Sequence, residues 1–205
     1  QYHPMNQNTY HHGDLRNALL EGAYTMLSEG GIHHLSLRAV AKRIGVSHNA
    51  PYQHFPDKEA LIAALSHQGF AKLTGEIDST LDRMRNRTVI DRLLAVAQSY
   101  VQFMARHPAY LEVMFGPYPH QDYPGLSDAA LASFNRLVSL IELGQSAGEI
   151  KAQNPREIAA AIWMMLHGVS TLFRPGKIPT DIVAHRDPAQ MASAFVQIVC
   201  EGIRA

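Results

Sequence analysis

The segment LSLRAVAKRIGVSHNAPYQHF, residues 35–55, decides the fold of the N-terminal part of the chain. Ser36 is a strong N-cap residue and Gly45 is a typical helix stop, so residues 37–44 are predicted to form a short helix. After the glycine turn, a second short helix is predicted from Ser47 to Phe55. The apolar residues of the first helix recur at helical spacing and predict one buried face: Leu37, Val40, Ala41 and Ile44.

A third predicted helix precedes this pair and runs from Leu15 to about Ser28, with Asp14 as its cap. Three helices in this order, the last two joined by a tight turn, make up the tri-helical unit of helix-turn-helix proteins. The unit would leave four hydrogen-bonding side chains of the last helix exposed: His48, Asn49, Tyr52 and Gln53. Asparagine and glutamine suit base edges and hydroxyl groups suit phosphates, so the pattern predicts binding to duplex DNA.

The charge of this segment supports the same interpretation, although that of the whole chain does not. The chain has 18 Lys and Arg residues against 18 Asp and Glu residues, so its net charge indicates no nucleic-acid binding. Between Ser36 and Lys58, however, only Asp57 opposes four bases: Arg38, Lys42, Arg43 and Lys58. DNA rewards such a local excess through counterion release. The alternative is a helical hairpin with a solvated basic face.

The rest of the chain also has helical periodicity and no convincing strand, so the predicted fold class is all-α. Helices are predicted at 57–81, 89–106, 109–115, 127–147, 154–173 and 187–203, with loops at 116–125 and 174–186. The predicted organisation is a flexible arm at 1–12, a helix-turn-helix domain at 13–66 and a helical-bundle domain for ligand binding and dimerisation at 67–205.

Other features of the sequence bear on location and chemistry. A single cysteine, Cys200, rules out an intrachain disulfide, which fits a reducing compartment. We see no signal peptide and no apolar stretch long enough to span a membrane, so we expect a cytoplasmic protein without membrane contact. Cys200 lies on an apolar helix and has no histidine near it in sequence, so we expect a buried structural thiol.

An enzyme is the first rival interpretation, because the chain has 12 histidines. The candidate metal ligands are His11 and His12 with Asp14, and the pair His33 and His34. Adjacent histidines on a helix point in different directions, and no phosphate-binding glycine motif is present. We therefore expect no metal, no cofactor and no catalytic residue.

Residues 10–65 resemble the N-terminal domain of the TetR family of transcription regulators. The resemblance is carried by YHHGDLRNALLEGAYTMLSEGG at 10–31 and by LSLRAVAKRIGVSHNAPYQHFPDKEALI at 35–62. The Gly-Val-Ser turn, the Tyr-x-His-Phe segment and the Pro-x-Lys-Glu-x-Leu segment are specific in combination. More weakly, QSAGEIKAQNPREIAAAIW at 145–163 is similar to a stretch that joins the last helices of many members. Trp163, His167 and Gly168 resemble the signature of the subgroup named for its Trp-His-Gly motif.

The resemblance implies a set of DNA-contacting residues. Ser36, Arg38 and Lys58 match phosphate-contacting positions, and Tyr52 and His54 match the Tyr-x-His positions that typically contact phosphate. The full predicted set is Ser36, Arg38, Ser47, His48, Asn49, Tyr52, Gln53, His54 and Lys58. Pro51 departs from helical geometry inside this segment, because it lacks a backbone donor and disfavours the helical conformation at Ala50. We therefore expect a local distortion.

The resemblance further implies a homodimer formed by the last two helices, which binds a near-palindromic operator, represses transcription and is released by a small-molecule effector. Apolar stripes on both helices agree with dimerisation, although such stripes can also pack inside one subunit. The predicted interface residues are Ile162, Met165, Val169, Phe195 and Val199.

A ligand pocket is expected where bulky and polarisable residues of the C-terminal helices converge. The candidate lining residues are Tyr100, Met104, Met114, Phe115, Phe134, Trp163, Met164 and His167. Residues of these types at helical spacing also form ordinary cores. The second rival interpretation is a helical ligand-binding or scaffold protein that does not bind DNA.

Overall fold

The computed structural model describes residues 12–117, 123–172 and 187–204, and the regular structure of these residues is helical, which confirms the predicted fold class. The α-helices are α1 His12–Gly30, α2 Leu37–Ile44, α3 Lys58–Arg83, α4 Val89–Arg106, α5 Pro108–Phe115, α6 Pro124–Ser146, α7 Pro155–Leu172 and α8 Pro188–Ile203. Two short 3-10 helices, Ile32–His34 and Ala50–Gln53, flank α2. Crossing a bilayer would need a longer apolar run than any helix in the described ranges provides.

Some predicted segments lie outside the described residues, and two helices begin earlier than predicted. The predicted arm, apart from His12, and the predicted loop at 174–186 lie outside the described residues, as do residues 118–122 of the other loop. Helix α1 begins at His12, two residues before the predicted cap Asp14. Helix α6 begins at Pro124, three residues before its predicted start, with a proline in its first turn.

Local capping fixes the predicted helix α2. The Ser36 side chain accepts a hydrogen bond from the Ala39 amide at 3.2 Å, as expected for an N-cap residue. At the other end Gly45 adopts a left-handed conformation with φ 76°, and its amide donates to the Ala41 carbonyl. Glycine takes this conformation without the strain that a side chain would add. The next helix, α3, is capped in the same way, since Asp57 accepts from the Ala60 amide at 2.7 Å.

The helix predicted from Ser47 to Phe55 is wrong in its length and its type. The chain makes a turn after Val46, and only Ala50–Gln53 is helical, as a 3-10 helix. Pro51 is buried at its start and has no amide hydrogen to donate. The Tyr52 amide donates to the Asn49 carbonyl at 3.2 Å, in the i to i+3 pattern of a 3-10 helix. The distortion expected from Pro51 is therefore present, and it extends through the whole segment.

Helix α3 joins the N-terminal unit to the C-terminal bundle. It is 26 residues long, and buried residues occur along it from Leu61 to Thr80. The helix packs against α1 as well as against α4, α5 and α6. The predicted domain boundary at residue 66 lies inside α3, at Ser66, which is fully buried. The two predicted domains therefore share one helix and one continuous hydrophobic core.

The C-terminal helices form a bundle around α4. Helix α8 packs along α4, and α7 lies against α4, α6 and α8. The bundle buries Cys200, as predicted, and burial raises the pKa of its thiol.

Helices α1 and α2 approach closely at Gly22. A Cβ atom at this buried position would lie 2.6 Å from Cγ2 of Ile44, below any normal contact distance. Ile44 closes helix α2 beside the turn at Gly45, so it has little freedom to move away. Gly22 is therefore required for the spacing of the first two helices.

We predict that Gly22→Ala lowers the free energy of unfolding by about 1 kcal/mol or more, because the added methyl group overpacks this contact. The matched control is Gly75→Ala on the exposed side of α3, where an added Cβ has nothing within 4 Å. The control is expected to stabilise the protein by about 0.5–1 kcal/mol through helix propensity alone. Urea denaturation at one fixed protein concentration measures the change in the free energy of unfolding of both variants. Changes of the same sign would contradict the close contact assigned to Gly22 and Ile44.

Candidate functional site

The start of α2, and the turn and 3-10 helix that follow α2, present a polar surface to solvent. Six of the predicted DNA-contacting residues are exposed together with Tyr52, whose side chain is 47% exposed: Ser36, Arg38, Ser47, His48, Asn49 and Gln53. We call these seven residues the polar surface. It contains no aspartate or glutamate.

The cations near the polar surface differ in their partners. Arg43 forms a two-pronged ion pair with Glu29, at 2.7 and 2.8 Å, which raises the pKa of Arg43 and lowers that of Glu29. Arg38 and Lys42 are exposed and have no ion-pair partner among the described residues. Arg38 and Lys42 are thus free to contact an anion, whereas Arg43 is already paired.

Two residues of the predicted set lie deeper than expected. Lys58 is half-buried, and its ammonium group donates to the Ile32 carbonyl at 2.9 Å. This bond holds the side chain against the 3-10 helix before α2. His54 is also half-buried, and its Nε2 atom is buried without a hydrogen-bond partner. That nitrogen is not accessible to a phosphate in this conformation.

A cavity of about 500 Å³ lies between α3, α5, α6 and α7; we call it the apolar cavity. Four of the predicted pocket residues line it: Met114, Phe115, Phe134 and Trp163. The sequence did not single out the other apolar lining residues, because apolar side chains look the same in a core: Phe70, Leu126, Ala130, Leu131 and Ala160. The described lining contains no ionisable residue, and its polar groups are the hydroxyls of Ser127 and Ser133 and the indole N–H of Trp163. This chemistry fits a neutral, apolar molecule.

The other four predicted pocket residues lie elsewhere. Met104 is 1% exposed and belongs to the packed core, whereas Met164 is 60% exposed on the outer face of α7. Tyr100 is buried beneath Phe134 and Trp163, beside a void of only about 30 Å³. His167 borders a different cleft. Met104 and Met164 do not line the apolar cavity, because helical spacing alone does not tell which face of a helix meets a cavity.

His167 and Tyr100 form a polar pair at the edge of the core. The Tyr100 hydroxyl lies 3.4 Å from Nδ1 of His167, and the Phe115 ring packs on the His167 ring with centroids 4.5 Å apart. Burial lowers the pKa of His167 and raises that of Tyr100, so both groups are neutral near pH 7.

The face that α7 and α8 leave exposed differs from the predicted interface. Ile162 is 1% exposed and Val169 is 7% exposed, so both pack inside their own subunit and offer no surface to a second chain. The prediction is corrected for these two residues, whereas Met165, Phe195 and Val199 are partly exposed. The most exposed large apolar side chains of the two helices are Met164, Leu172 and Ile198.

A polar contact between α1 and the C-terminal bundle was not predicted. The Tyr24 hydroxyl of α1 and Nδ1 of His107, between α4 and α5, share a hydrogen bond of 2.9 Å. The Tyr24 ring also packs on Tyr110 of α5 with centroids 4.5 Å apart, and Tyr110 donates to Gln68 of α3 at 2.9 Å. Desolvation raises the pKa of Tyr110 to about 12. Tyr24 lies more than 80 positions from His107 and Tyr110 in the chain, and no local pattern links them.

The family model described as "Bacterial regulatory proteins, tetR family" matches residues 19–65, and the model "Tetracyclin repressor-like, C-terminal domain" matches residues 93–197. A solved structure of a protein of unknown function from Rhodococcus sp. RHA1 is 30% identical, with a TM-score of 0.85, over 97% of this chain and 100% of that one.

Two curated relatives are more distant. The uncharacterized HTH-type transcriptional regulator YobS of Bacillus subtilis is 24% identical over 160 residues, 78% of this chain and 79% of YobS. The HTH-type transcriptional repressor KstR of Rhodococcus jostii is 27% identical over 99 residues, which cover 48% of this chain and 45% of KstR.

We predict that Tyr24→Phe lowers the free energy of unfolding by about 1 kcal/mol, because it removes the hydrogen bond to His107 and keeps the ring. The control is Tyr52→Phe, which removes an exposed hydroxyl and should leave stability unchanged. Urea denaturation at constant protein concentration compares the two variants. Equal effects would mean that the bond between α1 and the bundle contributes nothing.

We also predict a pH dependence from His107. Burial, followed by the charge of Arg106, lowers the pKa of His107 below 6.5 in the folded protein, so the unfolded chain binds this proton at a higher pH. The His107 contribution is therefore full above about pH 7, begins to fall near pH 6.5 and is lost as the pH falls through the lower pKa of the folded protein. His107→Gln should flatten the fall in stability between pH 7.5 and 5.5, and His167 should supply the slope that remains, since its pKa is lowered too. An unchanged slope in the variant would contradict this assignment.

Proposed function

Because the chain belongs to the TetR family of bacterial transcriptional regulators, we propose that it is a repressor that binds a near-palindromic operator as a homodimer and is released by a small-molecule effector. Its family members are DNA-binding regulators and not enzymes. Repression is the property named for KstR, and it supports the same role here. A regulator of this kind works at the chromosome, so a cytoplasmic location is part of the proposal. Trp163, His167 and Gly168 share α7, which supports membership of the Trp-His-Gly subgroup.

The polar surface is the observation that carries the DNA-binding part of the proposal. The seven side chains of the polar surface are exposed, include no acid and contribute nothing to the packing of the core. A DNA duplex offers hydrogen-bond partners for all of them. Asn49 and Gln53 have the side-chain chemistry for base edges, and Ser36, Arg38 and Tyr52 have that for phosphates. Because the segment is a turn followed by a 3-10 helix, we expect the turn residues Ser47, His48 and Asn49 to enter the groove ahead of Tyr52.

Lys58 and His54 take a smaller part in the proposal. The Lys58 ammonium group keeps two donors besides the one given to Ile32, so it can still bind a phosphate. His54 supports the segment from inside, and a phosphate contact through its Nε2 would need the chain to move.

The exposed faces of α7 and α8 support a homodimer. Met164 and Leu172 follow one another at helical spacing on α7, and Ile198 lies beside the half-buried Phe195 and Val199 on α8. Exposed apolar side chains grouped on neighbouring helices are typical of a protein interface. A two-fold dimer would place two polar surfaces about 34 Å apart, one turn of DNA. The rival interpretation, a scaffold without DNA binding, accounts for this face but not for the polar surface.

The apolar cavity supports an effector site. We propose that a neutral molecule with a largely apolar surface enters between Phe115, Phe134 and Trp163. Because Met114 and Phe115 belong to α5, which also packs on α1, a bound molecule can favour one position of the N-terminal unit.

Arg38→Ala should weaken operator binding about tenfold and reduce the steepness of its salt dependence by about one phosphate contact per subunit. The control is Arg85→Ala, an exposed arginine beyond the far end of the 26-residue helix α3. Fluorescence anisotropy with labelled operator DNA at several salt concentrations measures both. If the two variants lose affinity for the operator equally, Arg38 makes no specific contact with a DNA phosphate.

Filling the apolar cavity should abolish binding of neutral apolar molecules without affecting DNA. Ala160→Phe adds a ring inside the cavity, and Ala105→Phe adds the same ring on the exposed side of α4. The neutral dye N-phenyl-1-naphthylamine is expected to bind the wild type and Ala105→Phe, with energy transfer from Trp163, the only tryptophan. Binding by Ala160→Phe at wild-type affinity would place the ligand elsewhere.

Charge on the exposed face of α7 and α8 should dissociate the dimer. We predict that Met164→Asp combined with Ile198→Asp gives a folded monomer with weakened operator binding, because each carboxylate would be desolvated at the interface. Leu143→Asp, which alters an exposed apolar residue of α6, is the control. Analytical ultracentrifugation gives the mass, and a double variant that remains dimeric would exclude this interface.

A further inference from the structure

A second cleft, of about 560 Å³, lies between the N-terminal unit and the bundle; we call it the interdomain cleft. One wall is the end of α1, with Leu27 and Ser28, and the other walls come from α5 and from His167 and Thr171 of α7. Phe115 separates it from the apolar cavity, because its side chain lines both. A molecule in this cleft would touch both domains at once.

The charge of the interdomain cleft distinguishes it from the apolar cavity. Glu112 is half-buried in its wall and has no hydrogen-bond or ion-pair partner among the described residues. The described lining contains no lysine or arginine. His167 adds no positive charge near pH 7, because burial lowers its pKa. The described walls therefore carry one uncompensated negative charge, which favours a cation and disfavours an anion.

The remaining wall chemistry suits the body of an organic cation. Phe115 offers an aromatic ring, and aromatic faces attract ammonium groups, most strongly where water is excluded. Four further lining residues are apolar: Leu27, Pro108, Ala109 and Leu111. A hydrated metal ion would leave these surfaces unused, whereas a cation with an apolar group covers them.

We propose that the interdomain cleft is a second ligand site, which binds a small organic cation with Glu112 as its counter-charge and Phe115 as its aromatic wall. This site is additional to the effector site of the apolar cavity. Its ligand carries a positive charge, whereas the ligand proposed for the apolar cavity is neutral. Because the cation bridges α1 to α5 and α7, it favours one arrangement of the two domains and so changes operator affinity.

The test compares two water-soluble aromatic probes of similar size and opposite charge, phenyltrimethylammonium and benzenesulfonate. Isothermal titration calorimetry should show one phenyltrimethylammonium bound per chain, and benzenesulfonate at least about tenfold weaker. Glu112→Gln should weaken the cation about tenfold, equivalent to about 1.4 kcal/mol. Glu142→Gln on the exposed side of α6 is the matched control and should bind like the wild type.

Three outcomes would overturn the proposal: no saturable binding of the cation, equal affinity for the two probes, or full affinity in Glu112→Gln. Circular dichroism checks that each variant is folded. Operator binding without probe should be the same in Glu112→Gln as in the wild type. A failure here, with operator binding retained, therefore leaves the proposed repressor function unaffected.

Discussion

The packing of helix α3 is the constraint on which the rest of the structure depends. Its N-terminal turns complete the core of the tri-helical unit, and its later turns pack against α4, α5 and α6. One helix therefore carries buried side chains into both domains, from Leu61 near its start to Ile77 near its end. A single helix thus connects the bundle to the unit that carries the polar surface. The capped start of α3 at Asp57 lies four residues after Gln53, the last residue of that surface.

Helix α5 gives the bundle a second route to the N-terminal unit. Tyr110, on one side, packs on Tyr24 of α1, while Met114 and Phe115 form part of the wall of the apolar cavity. The hydrogen bond from Tyr24 to His107 fixes the beginning of the same helix. This eight-residue helix therefore contacts both the apolar cavity and α1. The proposed effector site and the proposed cation site lie on either side of Phe115, so their effects on this helix can oppose or reinforce each other.

What the sequence predicted well was local. Ser36 and Gly45 mark the start and the end of helix α2, because an N-cap and a left-handed glycine depend on only a few neighbouring residues. Pro51 predicted a distortion in the segment 47–55. It did not predict that a turn and a 3-10 helix would replace the α-helix. The Lys58 contact with Ile32 and the bond between Tyr24 and His107 join distant positions, which no periodicity encodes. On α7, the apolar stripes were visible, but Ile162 and Met164 differ in exposure because helices α4, α6 and α8 decide which stripe is covered.

The most direct test of the account is a footprint of the purified protein on the DNA upstream of its own gene. The account predicts a protected site with two related half-sites about one helical turn apart. Protection should be lost at high salt, because phosphate contacts supply much of the affinity. The contradicting result is DNA that stays unprotected although the protein is folded and dimeric and although candidate ligands have been added. That result would exclude the central claim that the polar surface binds an operator.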